Sequence, residues 1–126
     1  MASILIVDDD LVSRVLVRHI VADLGHDVTE AGDAEEAVEQ LAGESFDLVL
    51  CDQEMPGMTG IQLRAHLGAE FTTPFVLLTG YAEADELTSE AGTIDGHLTK
   101  PVSSADLGEL IKRLLEPVGD PVDNLV

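Results

Sequence analysis

Short apolar runs alternate with amphipathic stretches five times along this chain, and that alternation narrows the possible folds more than any other feature. Ile4-Leu5-Ile6-Val7, Leu48-Val49-Leu50-Cys51 and Phe75-Val76-Leu77-Leu78 are too short for helices and apolar at every position. Runs of this kind suit parallel strands buried on both faces. Asp27 to Glu30 and Gly96-His97-Leu98 supply two weaker strands. After the first strand, Leu11, Val12, Val15, Leu16, His19 and Ile20 recur at helical spacing, and Gly25 is a fitting C′ residue. Asp33 with Glu36 three residues on has the pattern of a capping box, ahead of an apolar face of Ala34, Ala37, Val38 and Leu41. A short helix is expected from Gly60 to Leu67, and one with a thin apolar face from Ala82 to Glu90. Ser103 or Ser104 caps a last helix carrying Leu107, Leu110, Ile111, Leu114 and Leu115, which Pro117 ends. Five such βα units imply an α/β fold, a parallel sheet with helices on both faces.

The 126 residues fit one domain, over 1–116, and the prolines and aspartates of 117–126 read as a flexible acidic tail. A hydrophobic content of 45% against 25% charged residues supports a packed core, and with aromatics at 3% it must be built from Val, Leu, Ile and Ala. No apolar run approaches the roughly 18 residues of a membrane span, and the N-terminus lacks the basic and small-residue pattern of a secretory signal. Cys51 is the single cysteine, which excludes an intrachain disulfide, favours a cytoplasmic setting and is expected to face the core. A formal charge of −19 argues against direct nucleic-acid binding, because phosphate contacts need clustered Lys and Arg. It fits a solvated acidic surface, one able to steer basic partners at low ionic strength.

In open parallel sheets, ligands bind beyond the carboxyl ends of the strands. Here the first strand runs into Asp8-Asp9-Asp10, the third into Asp52, the fourth into Thr79 and the fifth into Thr99-Lys100. An isolated Asp-Asp pair would read as helix capping, but three acids, a hydroxyl and an ammonium on one sheet edge do not. Two carboxylates about 4 Å apart repel by roughly 4 kcal/mol at an effective dielectric of 20, so such a cluster protonates a member or takes a cation. Mg²⁺ suits it, since that ion uses one or two carboxylates and leaves positions for water and phosphate oxygens. His19, His26, His66 and His97 are dispersed and offer no zinc spacing. Asp10 reads as a helix-start acid near the positive end of the dipole.

The blocks Ile4-Leu5-Ile6-Val7-Asp8-Asp9-Asp10, Cys51-Asp52-Gln53-Glu54-Met55-Pro56-Gly57-Met58-Thr59-Gly60, Leu77-Leu78-Thr79-Gly80 and Leu98-Thr99-Lys100-Pro101 closely resemble the response-regulator receiver family. Order and spacing are kept over about residues 3 to 116. The resemblance implies a flavodoxin-like, doubly wound (βα)5 fold with strand order 2-1-3-4-5. It implies Asp52 as nucleophile toward a phosphohistidine of a histidine kinase or histidine phosphotransfer protein. Mg²⁺, or Mn²⁺ in its place, would be held by Asp9 and Asp52 directly, Asp8 through water, and the backbone carbonyl of Glu54. Thr79 and Lys100 would each bind a phosphoryl oxygen, and the chain would be a signalling phosphoacceptor rather than a classical enzyme. Thr79 and His97 would form the switch, His97 standing where the family more often has an aromatic. Glu54 and Tyr81 would tune autodephosphorylation, the first by charge and the second by shielding. A downstream protein target and a phosphorylation-dependent homodimer belong to the same expectation.

Arg14 and Arg18, four apart on the first helix and just past the acids, suggest a docking patch for an acidic kinase or phosphotransfer helix. Arg64, Lys112 and Arg113 read as surface residues. Among rivals, a haloacid-dehalogenase-like phosphatase could use Asp8 and Asp10, but Val12 stands where that family usually has Thr, and the chain is short for it. A receiver-like binding module that is never phosphorylated would have no need of the full acid, Thr79 and Lys100 set. A dinucleotide-binding domain would need a Gly-x-Gly-x-x-Gly turn after the first strand, which is absent.

Overall fold

The computed structural model describes residues 2–80 and 94–115. Its elements run β1 (Ser3–Val7), α1 (Leu11–Asp23), β2 (Asp27–Ala31), α2 (Ala34–Gly43), β3 (Leu48–Asp52), α3 (Gly60–Leu67), β4 (Phe75–Thr79), β5 (Gly96–Thr99) and α4 (Ser104–Leu115). The helix expected over 82–90, Tyr81 and the 117–126 tail lie outside the described residues. All strand pairs are parallel and the order is β2-β1-β3-β4-β5, the doubly wound arrangement expected from the resemblance.

The unbroken apolar runs have a simple cause. Successive strand side chains point to opposite faces, and both faces are covered. Ile4, Ile6, Leu48, Leu50, Val76 and Leu78 pack with Val17, Ile20 and Val21 of α1 and with Leu107, Leu110 and Ile111 of α4. The intervening Leu5, Val7, Val49, Cys51, Phe75 and Leu77 pack with Ala34 and Ala37 of α2, Leu63 of α3, Phe46 and Met55. Cys51 is buried as expected, and burial pushes its thiol well up, so no thiolate forms at ordinary pH.

Helix ends follow local chemistry. Asp33 caps α2 by accepting from the Glu36 N–H at 2.8 Å, while the Glu36 carboxylate takes the Gly32 N–H. Thr59 and Gln62 form a full capping box at α3. Ser103, not Ser104, caps α4 by accepting from the Asp106 N–H. Gly25 has φ of 96° just past α1, where only glycine sits without strain.

The helical spacing after β1 is matched by α1, but its residues do not form one buried face: Leu11, Val12, Val15 and Leu16 are 59, 76, 39 and 50% exposed, while Ile20 is buried with Val17 and Val21. Val17, Ile20 and Val21 pack in the core beneath α1, and Arg14 agrees with that rotation by donating to the Asp8 carbonyl and to the Glu30 carboxylate. Arg64 is not a surface residue. It is buried, donates to the carbonyls of Gly68 and Phe71, and lies over the Phe71 ring, so it staples the turn after α3.

Candidate functional site

The carboxyl edge of the sheet gathers what the strand ends promised. Asp8 follows β1 and is 1% exposed, Asp52 ends β3 at 4%, and Thr79 ends β4 at 2%. Asp9 is exposed to solvent. One carboxylate oxygen from each of Asp8, Asp9 and Asp52 lies within 4.8 Å of the others. Lys100, just past β5, reaches back across the edge: its Nζ is 2.9 Å from Asp52 Oδ1 and 3.1 Å from Asp8 Oδ2. The Lys100 N–H donates to the Thr79 carbonyl at 2.7 Å, which extends the β4–β5 pairing and sets the ammonium level with the acids.

The surroundings are prearranged. The Asp10 N–H donates to Asp8 Oδ1 at 3.0 Å, holding that carboxylate at the start of α1. Asp10 itself occupies the N-cap position of α1 but makes no side-chain cap bond. Gln53 anchors the loop after Asp52: its N–H donates to the Leu78 carbonyl, its carbonyl accepts from Gly60, and its side chain accepts from the Ile61 N–H. Gly60 must be glycine, because a Cβ there would sit 2.7 Å from Leu77 Cδ2 and 2.8 Å from the Asp52 carbonyl oxygen. Neither Gln53 nor Gly60 carries a sequence signal beyond lying in the matching block.

Burial raises the Asp52 carboxyl above its ordinary value; the Lys100 hydrogen bond opposes this, the Asp8 charge adds to it, and the Lys100 charge and the Glu54 N–H oppose it. Burial alone would lower Lys100, but its bonds and attraction to Asp52 and Asp8 win and raise it. One ammonium thus serves two buried carboxylates with a third beside them. That donor set is all oxygen and carries more negative charge than Lys100 can neutralise, which fits a hard divalent cation such as Mg²⁺.

Other expected residues are placed as follows. Glu54 is exposed on the loop after Asp52, and its carboxylate lies toward Gly80. His97 is half-buried on β5, in register with Leu77, and lines a groove against Asp106 and Leu110 of α4. Arg14 and Arg18 both grip Glu30 of β2, at 2.8 and 3.0 Å, so one carboxylate offsets one of their two charges. The same helix exposes Leu11, Val12, Val15 and Leu16 beside the acids.

Residues 4–112 match the family described as response regulator receiver domain. The chain belongs to the response regulator receiver family. It is 35% identical over 121 residues to the chemotaxis protein CheY of Pseudomonas aeruginosa, covering 91% of this chain and 97% of that one. Its fold matches the chemotaxis response regulator CheY4 of Vibrio cholerae with a TM-score of 0.82 at 31% identity, covering 91% and 99% of the two chains. The response regulator TrrA of Thermotoga maritima, solved in complex with Mg²⁺-BeF, matches with a TM-score of 0.82 at 31% identity over 91% and 100%. The chain also spans 13% of the length of the sensor protein GacS of Pseudomonas syringae pv. syringae, at 35% identity over 116 residues. It is therefore a two-component receiver domain and not a haloacid-dehalogenase-like phosphatase. Among the described residues no helix is long and apolar enough to cross a membrane.

Proposed function

We propose that this receiver domain takes a phosphoryl group onto Asp52 from a phosphohistidine of a histidine kinase or histidine phosphotransfer protein. The observation that carries this reading is the buried Asp52 carboxylate, hydrogen-bonded to Lys100 and flanked by the carboxylates of Asp8 and Asp9. A carboxylate oxygen of Asp52 attacks phosphorus, the P–N bond to imidazole breaks, and an acyl phosphate results. Phosphoryl transfer asks for positioning and charge neutralisation more than covalent work. Asp9 and Asp52 would hold Mg²⁺, or Mn²⁺, directly, with Asp8 acting through water and the Glu54 carbonyl completing the protein ligands. When bound, the ion neutralises charge on the transferring oxygens. Lys100, which bridges two carboxylates here, turns to a phosphoryl oxygen, and Thr79 donates its hydroxyl to another.

The acyl phosphate carries about −1.5 to −2 charges where the Asp52 carboxylate carried one, and it brings three phosphoryl oxygens to the end of β3. Thr79 moving toward it draws on the β4 end, and His97 answers on β5, giving a downstream protein, or a second phosphorylated copy, a changed surface. Glu54 and Tyr81 set how fast water removes the group. The phosphodonor helix is better matched to the exposed Leu11, Val12, Val15 and Leu16 stripe than to Arg14 and Arg18. That stripe adjoins Asp9, whereas both arginines are held against Glu30 on the β2 side of α1. A cytoplasmic setting agrees with this chemistry.

Acetyl phosphate with Mg²⁺, read by intact mass, tests the assignment. Wild type gains one phosphoryl mass and Asp52→Asn gains none. A gain that survives the substitution removes Asp52 as acceptor.

A further inference from the structure

A groove of about 520 Å³ opens between α2 and the loop joining β3 to α3, on the sheet face opposite α1. Its volume lies within the range of sites that take a ligand or a few side chains. Val38, Pro56 and Met58 form an apolar floor, and Asp33, Glu35 and Glu39 stand around it. Lysine and arginine are missing from its described lining. Asp33 is occupied at the helix cap. Glu35 and Glu39 differ: both are exposed, they stand four apart on one side of α2, and neither has an ion pair among the described residues. Like charges at that spacing repel, and a cation from outside would relieve them.

We propose that this groove docks a short basic segment of a partner protein, whose apolar anchor sits on Val38, Pro56 and Met58 and whose Lys or Arg side chains meet Glu35 and Glu39. A second copy of this chain is a poor occupant. Of its six Lys and Arg residues, Arg14 and Arg18 hold Glu30, Lys100 holds Asp8 and Asp52, and Arg64 is buried, which leaves only the exposed Lys112 and Arg113 in the last turn of α4. Lys112 and Arg113 are adjacent on their helix and so face different ways, a poor match for two acids four apart, and two copies of a chain of net charge −19 repel; a basic segment of another protein fits better. The groove wall at Pro56 and Met58 is the loop that follows Asp52 and Glu54, so a docked segment touches the same loop that serves the acid edge.

The test uses a short fluorescein-labelled peptide of Leu, Arg and Lys with the full chain, free of metal and phosphodonor, so its outcome is independent of whether Asp52 is the acceptor. Anisotropy is expected to show saturable binding, with amide shifts confined to residues 34–39 and 56–58. Glu35→Lys with Glu39→Lys weakens binding about tenfold or more. Asp23→Lys with Glu109→Lys, on the opposite face, changes the net charge equally and leaves affinity within about twofold. Met58→Ser weakens binding with no change of charge. Equal losses in the two charge-reversed pairs, shifts elsewhere on the surface, or no saturable binding overturns the proposal.

Discussion

Aspartates stand at both ends of the sheet, and the two ends use them differently. At the amino end, Asp47 accepts from the Ser3 N–H and Asp95 from the Phe75 N–H, each at 2.8 Å. At the carboxyl end, Asp8, Asp9 and Asp52 face one another, and Asp8 and Asp52 share the Lys100 ammonium. A parallel sheet leaves N–H groups open at the strand starts and carbonyls open at the strand ends. An acid at the start finds its donor in an open strand N–H, while an acid at the end faces strand carbonyls, gains only a loop N–H (Asp10 to Asp8, Glu54 to Asp52) and must look for a cation. The residue type is the same; the supply of donors decides whether its charge is spent on the fold or left for chemistry.

The largest test of that contrast removes the shared cation. Lys100→Ala leaves Asp8 and Asp52 buried without their counter-charge, and the metal-free protein is expected to lose about 3 kcal/mol, the lower end for a broken buried pair because the lysine is partly exposed. Saturating Mg²⁺ should return much of that stability, since a ligand bound only by the folded state adds to it. Urea unfolding with and without the metal reads both effects. A loss that Mg²⁺ does not relieve would mean that Lys100 acts by packing and that the carboxyl-end acids are not short of charge.

The next test sets the two ends against each other. Asp9→Asn is expected to weaken Mg²⁺ binding by at least about tenfold, a loss that even outer-sphere partners of a metal site can cause. Asp95→Ala, at the other end, should leave Mg²⁺ affinity unchanged and cost about 1–3 kcal/mol of stability, because the buried-strand N–H of Phe75 loses its acceptor. Calorimetric titration and denaturation together separate the outcomes. If both variants lose metal affinity alike, the division between structural and chemical acids is wrong.

Much of this is legible in the sequence, for reasons that also explain what is not. β1, β3 and β4 could be read because each side chain on them serves one core layer or the other, which leaves no polar position in the run. The acid edge could be read because strand ends carry function in this topology, so Asp8, Asp52, Thr79 and Lys100 were placed once the strands were. The face of α1 could not. Its apolar residues form two stripes, and periodicity reports a helix without reporting its rotation, which depends on packing against β1 and, far away in sequence, β3. Arg64 was missed because its partners are the carbonyls of Gly68 and Phe71, and backbone acceptors leave no trace in residue identity. The capping of strand N–H groups by Asp47 and Asp95 was invisible for the same reason.

The smallest effect concerns pH. Burial, followed by the Asp8 charge, holds the Asp52 carboxyl above its ordinary value despite Lys100 and the Glu54 N–H. In the metal-free protein the folded state therefore keeps the Asp52 proton to higher pH than the unfolded chain does. Between the ordinary carboxylate value, about 3.9, and the raised one, the folded state binds more protons, so this group makes stability fall as pH rises. Lys100 behaves in the other sense: its raised value contributes stability that is present below the ordinary ammonium range and is lost only as pH rises through the folded value. Asp52→Asn should flatten the fall above the carboxylate range and raise stability at neutral pH by about 0.5–2 kcal/mol, the range typical of relieving an unfavourable charge. A urea midpoint that rises at constant slope reads it directly. A midpoint that stays put or drops would mean that the hydrogen bond from Lys100 outweighs the cost of burying the Asp52 charge, and that the carboxyl edge is balanced without a metal ion, as the amino edge is by its backbone donors.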